Sequence, residues 1–108
     1  MTVRQISIKL GLESLCMPDP DREVTGGYAG DLLSWVMGRA KSGDAWVTIM
    51  SNVNIVAVAT LADPACIILS EGVKADDGVI DKAQSMGVNV LSTKDDTFTA
   101  CAKIAGVI

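Results

Sequence analysis

The apolar positions along this 108-residue chain change their period several times, and each change marks an element. Val3, Ile6 and Leu10 fall on one face of a short helix, with Thr2 as its N-cap and Gly11 as its stop. Leu12 to Met17 reads as a strand running into the Pro18-Asp19-Pro20 loop. Leu32, Leu33, Val36, Met37 and Ala40 repeat at helical spacing after a Gly30-Asp31 cap, and Gly43 closes that helix. Ala45 to Met50 is apolar on both faces, the mark of a buried strand, and Ser51-Asn52 ends it. The β-branched residues of Val53 to Ala62 favour a strand. Its Asn52 cap, its alanines and the Asp63-Pro64 stop favour a helix, and together they predict one. Such a helix is apolar all round and belongs in the core or in a subunit interface. Ala65 to Leu69 is a further buried strand, and Val79, Ile80, Ala83 and Met86 give a helix ending at Gly87. Val88 to Leu91 is the next strand, and Phe98, Cys101, Ala102 and Ala105 place one apolar face on a last helix. The alternation predicts an α/β fold: one domain over residues 1–108, with a small, mainly parallel sheet flanked by helices in three layers.

One stretch follows no period. Asp21-Arg22-Glu23-Val24-Thr25-Gly26-Gly27 reads as a tight, polar loop between a strand and a helix. Its paired glycines allow positive φ or the close approach of another group, and Asp21 and Thr25 can bond neighbouring amides. Asp21, Arg22, Thr25, Gly26 and Gly27 match the Asp-Arg…Thr-Gly-Gly signature of the DRTGG domain family, which the chain resembles. Thr2-Val3-Arg4-Gln5-Ile6, Gly30-Asp31-Leu32-Leu33 and Asn54-Ile55-Val56-Ala57-Val58-Ala59 extend the resemblance, over nearly the whole chain, to free-standing bacterial members. The family's domain also stands beside the catalytic domain of HPr kinase/phosphorylase, in phosphotransacetylases and next to CBS domains. The resemblance therefore implies an accessory or regulatory module and not a catalyst.

Composition narrows the function classes further. Nine basic against 13 acidic residues give a net charge of −4 with no basic run, which argues against nucleic acid and against an anionic membrane surface. No apolar run approaches the ~20 residues of a membrane span and no signal-peptide pattern opens the sequence, so the cytoplasm is the expected compartment. The chain has no histidine, which removes Ser-His-Asp and Cys-His nucleophiles. It has no Gly-x-x-x-x-Gly-Lys-Ser/Thr loop either, so the kinase machinery found beside some DRTGG domains is not carried over. Cys16, Cys66 and Cys101 lack metal-ligand spacing and read as buried thiols. No catalytic residue, metal site or cofactor is expected.

What remains is a binding role. In open α/β sheets, ligands gather beyond the carboxyl ends of the strands, and those ends carry Ser51-Asn52, Ser70-Glu71-Gly72 and Ser92-Thr93. The candidate ligand-binding set is Asp21, Arg22, Thr25, Gly26, Gly27, Ser51, Asn52, Ser70 and Gly72. It is expected where the Thr25–Gly27 turn meets the loops after Met50 and Leu69, within one chain or across a dimer. Lys74 and Lys94 stand near enough to help neutralise an anion, provided the Glu71 charge is turned away. The same Ser, Thr and Asn residues serve equally well as helix caps. The expected function is a non-enzymatic regulatory domain that senses a small anionic metabolite such as an adenine nucleotide and works as a homodimer. The alternative is a protein-interaction module presenting Trp35 and the Val53–Leu61 segment, in keeping with a mean hydropathy of +0.37.

Overall fold

Backbone period becomes structure in ten elements of the computed structural model, which describes residues 1–108 throughout. In chain order these are α1 (Val3–Leu10), β1 (Glu13–Cys16), β2 (Gly26–Ala29), α2 (Leu33–Arg39), β3 (Asp44–Thr48), α3 (Asn54–Ala62), β4 (Cys66–Leu69), α4 (Val79–Met86), β5 (Val90–Ser92) and α5 (Thr97–Ala105). The sheet order is β1-β5-β4-β3-β2. Strands β2 to β5 are parallel and β1 runs antiparallel against β5. A parallel pair needs a crossover, and α2, α3 and α4 supply the three that link β2 to β5.

The two faces of the sheet carry separate cores. On one, Trp46, Ile67, Leu69 and Val90 meet Val36 of α2, Ile55, Val56, Val58 and Ala59 of α3, and Val79 and Ala83 of α4. On the other, Ala45, Val47, Cys66, Ile68 and Leu91 meet Val3 and Ile6 of α1 and Ala100 and Ile104 of α5. The result is the three-layer α/β/α arrangement that the alternation predicts. Thr2 and Gln5 complete a reciprocal capping box on α1, and Gly11 ends it in the left-handed region at φ 66°. Cys16 and Cys66 are buried and Cys101 is half-buried, and burial pushes the Cys66 thiol up to about 12.

Four expectations are corrected. Gly26 and Gly27 have no positive φ and form no strand-to-helix turn, because both lie inside β2, in register with Asp44 and Ala45. The Val53 to Leu61 segment is not free as a whole to face another subunit, since Ile55, Val56, Val58 and Ala59 are buried by the chain's own sheet and helices and only its other side, with Val53 and Leu61, is exposed. Met86 at the end of α4 is exposed. On α5 the core side is Ala100 and Ile104, whereas Phe98 is 84% exposed and Ala102 and Ala105 also face outward. That apolar stripe is a surface feature.

Candidate functional site

The two ends of the sheet divide the candidate residues between them. At the amino ends of the parallel strands, the Asp21–Gly27 stretch fastens the start of β2 to the turns on either side of it. The Asp21 carboxylate accepts a bond from Arg4 at 3.0 Å, in an exposed pair. Arg22 forks onto both carboxylate oxygens of Asp63 at 3.0 Å, and also donates to the Asp63 carbonyl and to Ser42 Oγ. Ser42 donates to the same Asp63 carboxylate at 2.6 Å. Asp63 ends α3 in the left-handed region at φ 60°, so the arginine holds a strained turn in place. Its hydrogen bond to Arg22, and then that to Ser42, hold the Asp63 carboxyl below the usual range, and the same pairing raises Arg22.

Thr25 donates its backbone N–H to Gly43 O at 3.0 Å, and its Oγ1 lies where a Cβ on Gly43 would stand. A Cβ on Gly26 would sit 2.7 Å from Asp44 Oδ1. The glycine is there because a buried carboxylate passes close to its Cα. Asp21 and Arg22 are thus engaged with Arg4, Ser42 and Asp63.

The carboxyl ends are different. Beyond β4 and β5 lies a cleft of about 680 Å³, bounded by the residues after each strand, by the α1–β1 junction and by α4 and α5. Gly72 lines it, in the left-handed region at φ 69°. Leu10, Leu15, Val73, Ala75 and Ile80 give it an apolar wall, and Lys74, Lys94 and Lys103 bring three cations against the two carboxylates of Glu13 and Asp95. Lys103 pairs with Asp95 at 2.7 Å, while Lys74 and Lys94 make no ion pair. In a chain of net charge −4 this is a local reversal of sign.

The rim is stitched into one unit. Glu71 N–H donates to Asp95 O at 2.8 Å and Gly72 N–H to Thr93 O at 3.0 Å. The Glu71 carboxylate accepts the Thr97 N–H at 2.9 Å, so its charge faces the start of α5 and not the cleft. Ser70 is fully buried behind the rim, its Oγ 2.7 Å from Thr97 Oγ1. Ser51 donates to Asp76 at 3.0 Å and fixes the segment leading to α4, and the Asn52 side-chain Oδ1 accepts the Asn54 N–H at the start of α3.

The predicted set therefore does not converge within one chain. Gly72 lines the cleft, Ser70 underlies it, and Ser51 and Asn52 cap the neighbouring strand end. Thr25 lies level with Gly43 and Ser70 just past the level of Thr48, about six residues of strand apart, or roughly 20 Å. Asp21, Arg22, Thr25, Gly26 and Gly27 thus stand at the opposite end of the sheet. The reason is β2: as a strand, it carries the chain from one end to the other between Thr25 and Gly30. Sequence reasoning identified Lys74 and Lys94 and missed Lys103, which reaches the cleft from the last helix and whose partner Asp95 is eight residues away.

Comparison with known proteins supplies the context for this geometry. A model of the DRTGG domain matches residues 29–107, which includes β3 to α5 and most of the cleft and begins just after the Asp21–Gly27 stretch. The fold is similar to a solved structure of the CBS and DRTGG domains of the regulatory region of Clostridium perfringens pyrophosphatase, complexed with the activator diadenosine tetraphosphate. The TM-score is 0.74 at 17% identity, over 95% of this chain and 45% of that one, so the chain spans less than half of its neighbour. No curated protein matches the chain.

Proposed function

This chain belongs to the DRTGG domain family, and on that premise we propose that it is a non-enzymatic regulatory domain that senses a small anionic metabolite, an adenine nucleotide for preference, and signals through a homodimer. The observation that carries the reading is the cleft beyond β4 and β5, where two lysines that make no ion pair share the lining with an apolar wall. Cations suit the phosphates and the wall suits a base, and the position is the one at which open α/β sheets receive ligands. The activator in the pyrophosphatase structure is a nucleotide, which agrees with that chemistry.

The test is a thermal-shift titration with AMP, ADP, ATP and diadenosine tetraphosphate. A ligand at 100 times its Kd stabilises by about 2.7 kcal/mol, a rise in Tm on the order of 10 °C for a domain of this size. Lys74→Ala with Lys94→Ala should abolish the rise and leave the unliganded Tm within a few degrees. No response to any nucleotide, or an undiminished response in the double variant, removes the proposed site.

One observation favours a second reading, an interaction module. Trp35 on α2 is 52% exposed and carries the Arg39 guanidinium 3.7 Å above its ring, with Met37 exposed on the same short helix and Leu32 exposed just before it. Exposed Trp and Arg together are the composition of an interface anchor.

A further inference from the structure

We infer that the β2 edge and the outward side of α5 form one self-complementary surface that takes a second copy of this chain. The inference rests on the homodimer in the reading above and says where it forms.

The two edges of the sheet are treated differently. At the β1 edge the strand carries Glu13 and its register is broken between Ser14 and Cys16, two devices that discourage further pairing. At the β2 edge, Gly26-Gly27-Tyr28-Ala29 has neither charge nor proline, and its register with β3 is unbroken. Since Thr25 N–H points inward to Gly43 O, alternation along the strand turns the Gly26 and Tyr28 amides to the open side. These amides are free to pair with another strand.

Beside that edge runs the α5 stripe. Phe98, Cys101 and Ala105 follow one another at helical spacing on α5 and Ile108 stands just past its end; Cys101, Ala105 and Ile108 line the side towards β2, and Phe98 and Ile108 are exposed. An apolar groove of about 270 Å³ lies between the helix and β2, and none of its nine lining residues has a charged side chain. Each copy carries −4, so two copies approach with least repulsion through a surface free of charged side chains.

Symmetry selects the occupant. A two-fold axis perpendicular to the sheet at this edge pairs β2 antiparallel with its own copy and keeps the same faces of the two sheets aligned. The two α5 helices then lie side by side, and each stripe covers the other. One operation closes the backbone edge and the helix stripe together. An added extended peptide would close only the edge.

Sedimentation at micromolar concentration should give twice the 11.3 kDa chain mass for the wild type. Phe98→Glu with Ala105→Glu, both at exposed positions, should halve it, and Trp35→Glu should leave it at the dimer value. Hydrogen exchange gives a readout that needs no variant: the Gly26 and Tyr28 amides should exchange slowly in concentrated protein and at least tenfold faster on dilution below the dimer range. A wild type of 11.3 kDa, a folded double variant that stays dimeric, or Gly26 and Tyr28 amides that exchange fast at every concentration overturns the surface. A dimer that binds no nucleotide supports this surface and removes the ligand reading, whereas a monomer that binds nucleotide does the reverse.

Discussion

Gly26 and Gly27 are neighbours in one strand, yet substitution by alanine should move stability in opposite directions. At Gly26 the added Cβ stands 2.7 Å from Asp44 Oδ1. That carboxylate cannot simply swing aside. Asp44 is only 7% exposed, and its other oxygen accepts the Lys41 N–H at 2.8 Å across the turn that feeds β3. Moving it weakens a hydrogen bond to a charged, buried acceptor, worth about 1.5–3 kcal/mol. At Gly27 the Cβ meets only Ala45 O at 3.6 Å, an ordinary contact, and the backbone is extended without positive φ. Alanine there restricts the unfolded chain and should stabilise by about 0.4–1 kcal/mol. Urea unfolding followed by circular dichroism should therefore place Gly26→Ala about 2 kcal/mol below wild type and Gly27→Ala slightly above it. In an Asp44→Ala background the Gly26→Ala penalty should fall below about 0.5 kcal/mol, since the group it strikes is gone. Equal losses at the two glycines, or a Gly26 penalty that persists without Asp44, would refute the steric reasoning.

Two further substitutions probe the amino ends of the sheet. Because Asp63 titrates below its ordinary value of 3.8 when folded, its pairing with Arg22 contributes stability above that pH and loses it as the pH falls through the depressed value. The stability gap between wild type and Arg22→Ala, read from urea curves at successive pH values, should be level near neutrality and shrink in acid; a gap independent of pH would show that the arginine acts by packing alone. Asn89, 2% exposed, accepts the Asp19 N–H at 2.9 Å and donates to Asp19 O and Ala65 O at 2.7 and 2.9 Å. Asn89→Ala removes all three of these bonds, leaving Asp19 O only its longer bond from the Arg22 N–H at 3.3 Å, and should cost about 2–4 kcal/mol by urea unfolding, so a loss under about 1 kcal/mol would mean that water replaces the amide.

Elements whose apolar residues meet the core could be read from the sequence. Trp46, Ile67 and Leu91 mark strands because both faces of the sheet are covered, and α1 announces itself through Thr2 and Gly11. Strand β2 could not be read in this way. It has two glycines and one partly buried side chain on an open edge, so no period forms, and the glycines serve a close approach to Asp44 that only the fold creates. With β2 missed, the Thr25 end was joined to the wrong end of the sheet. The stripe on α5 was legible as a stripe, but pattern alone gives no sign of whether an apolar face meets its own sheet or another molecule. Of the cleft, Gly72, Lys74 and Lys94 were visible as loop residues after strands. Lys103 was not, since its place depends on how α5 lies over α1.

The pairing of β1 with β5 sets an order of events during synthesis. Glu13 stands opposite Ser92, 79 residues later, and β1 has no other neighbour in the sheet. At about 5–20 residues per second, β1 waits roughly 4–16 s for its partner to be made. Strands β2 to β5 meet their neighbours in the order they appear, each through a single crossover, so the middle of the sheet can form while the chain is still growing. The earliest strand is thus the last to be paired, and until then Leu15 and Cys16 lack the β5 neighbours beside which they pack in the finished sheet.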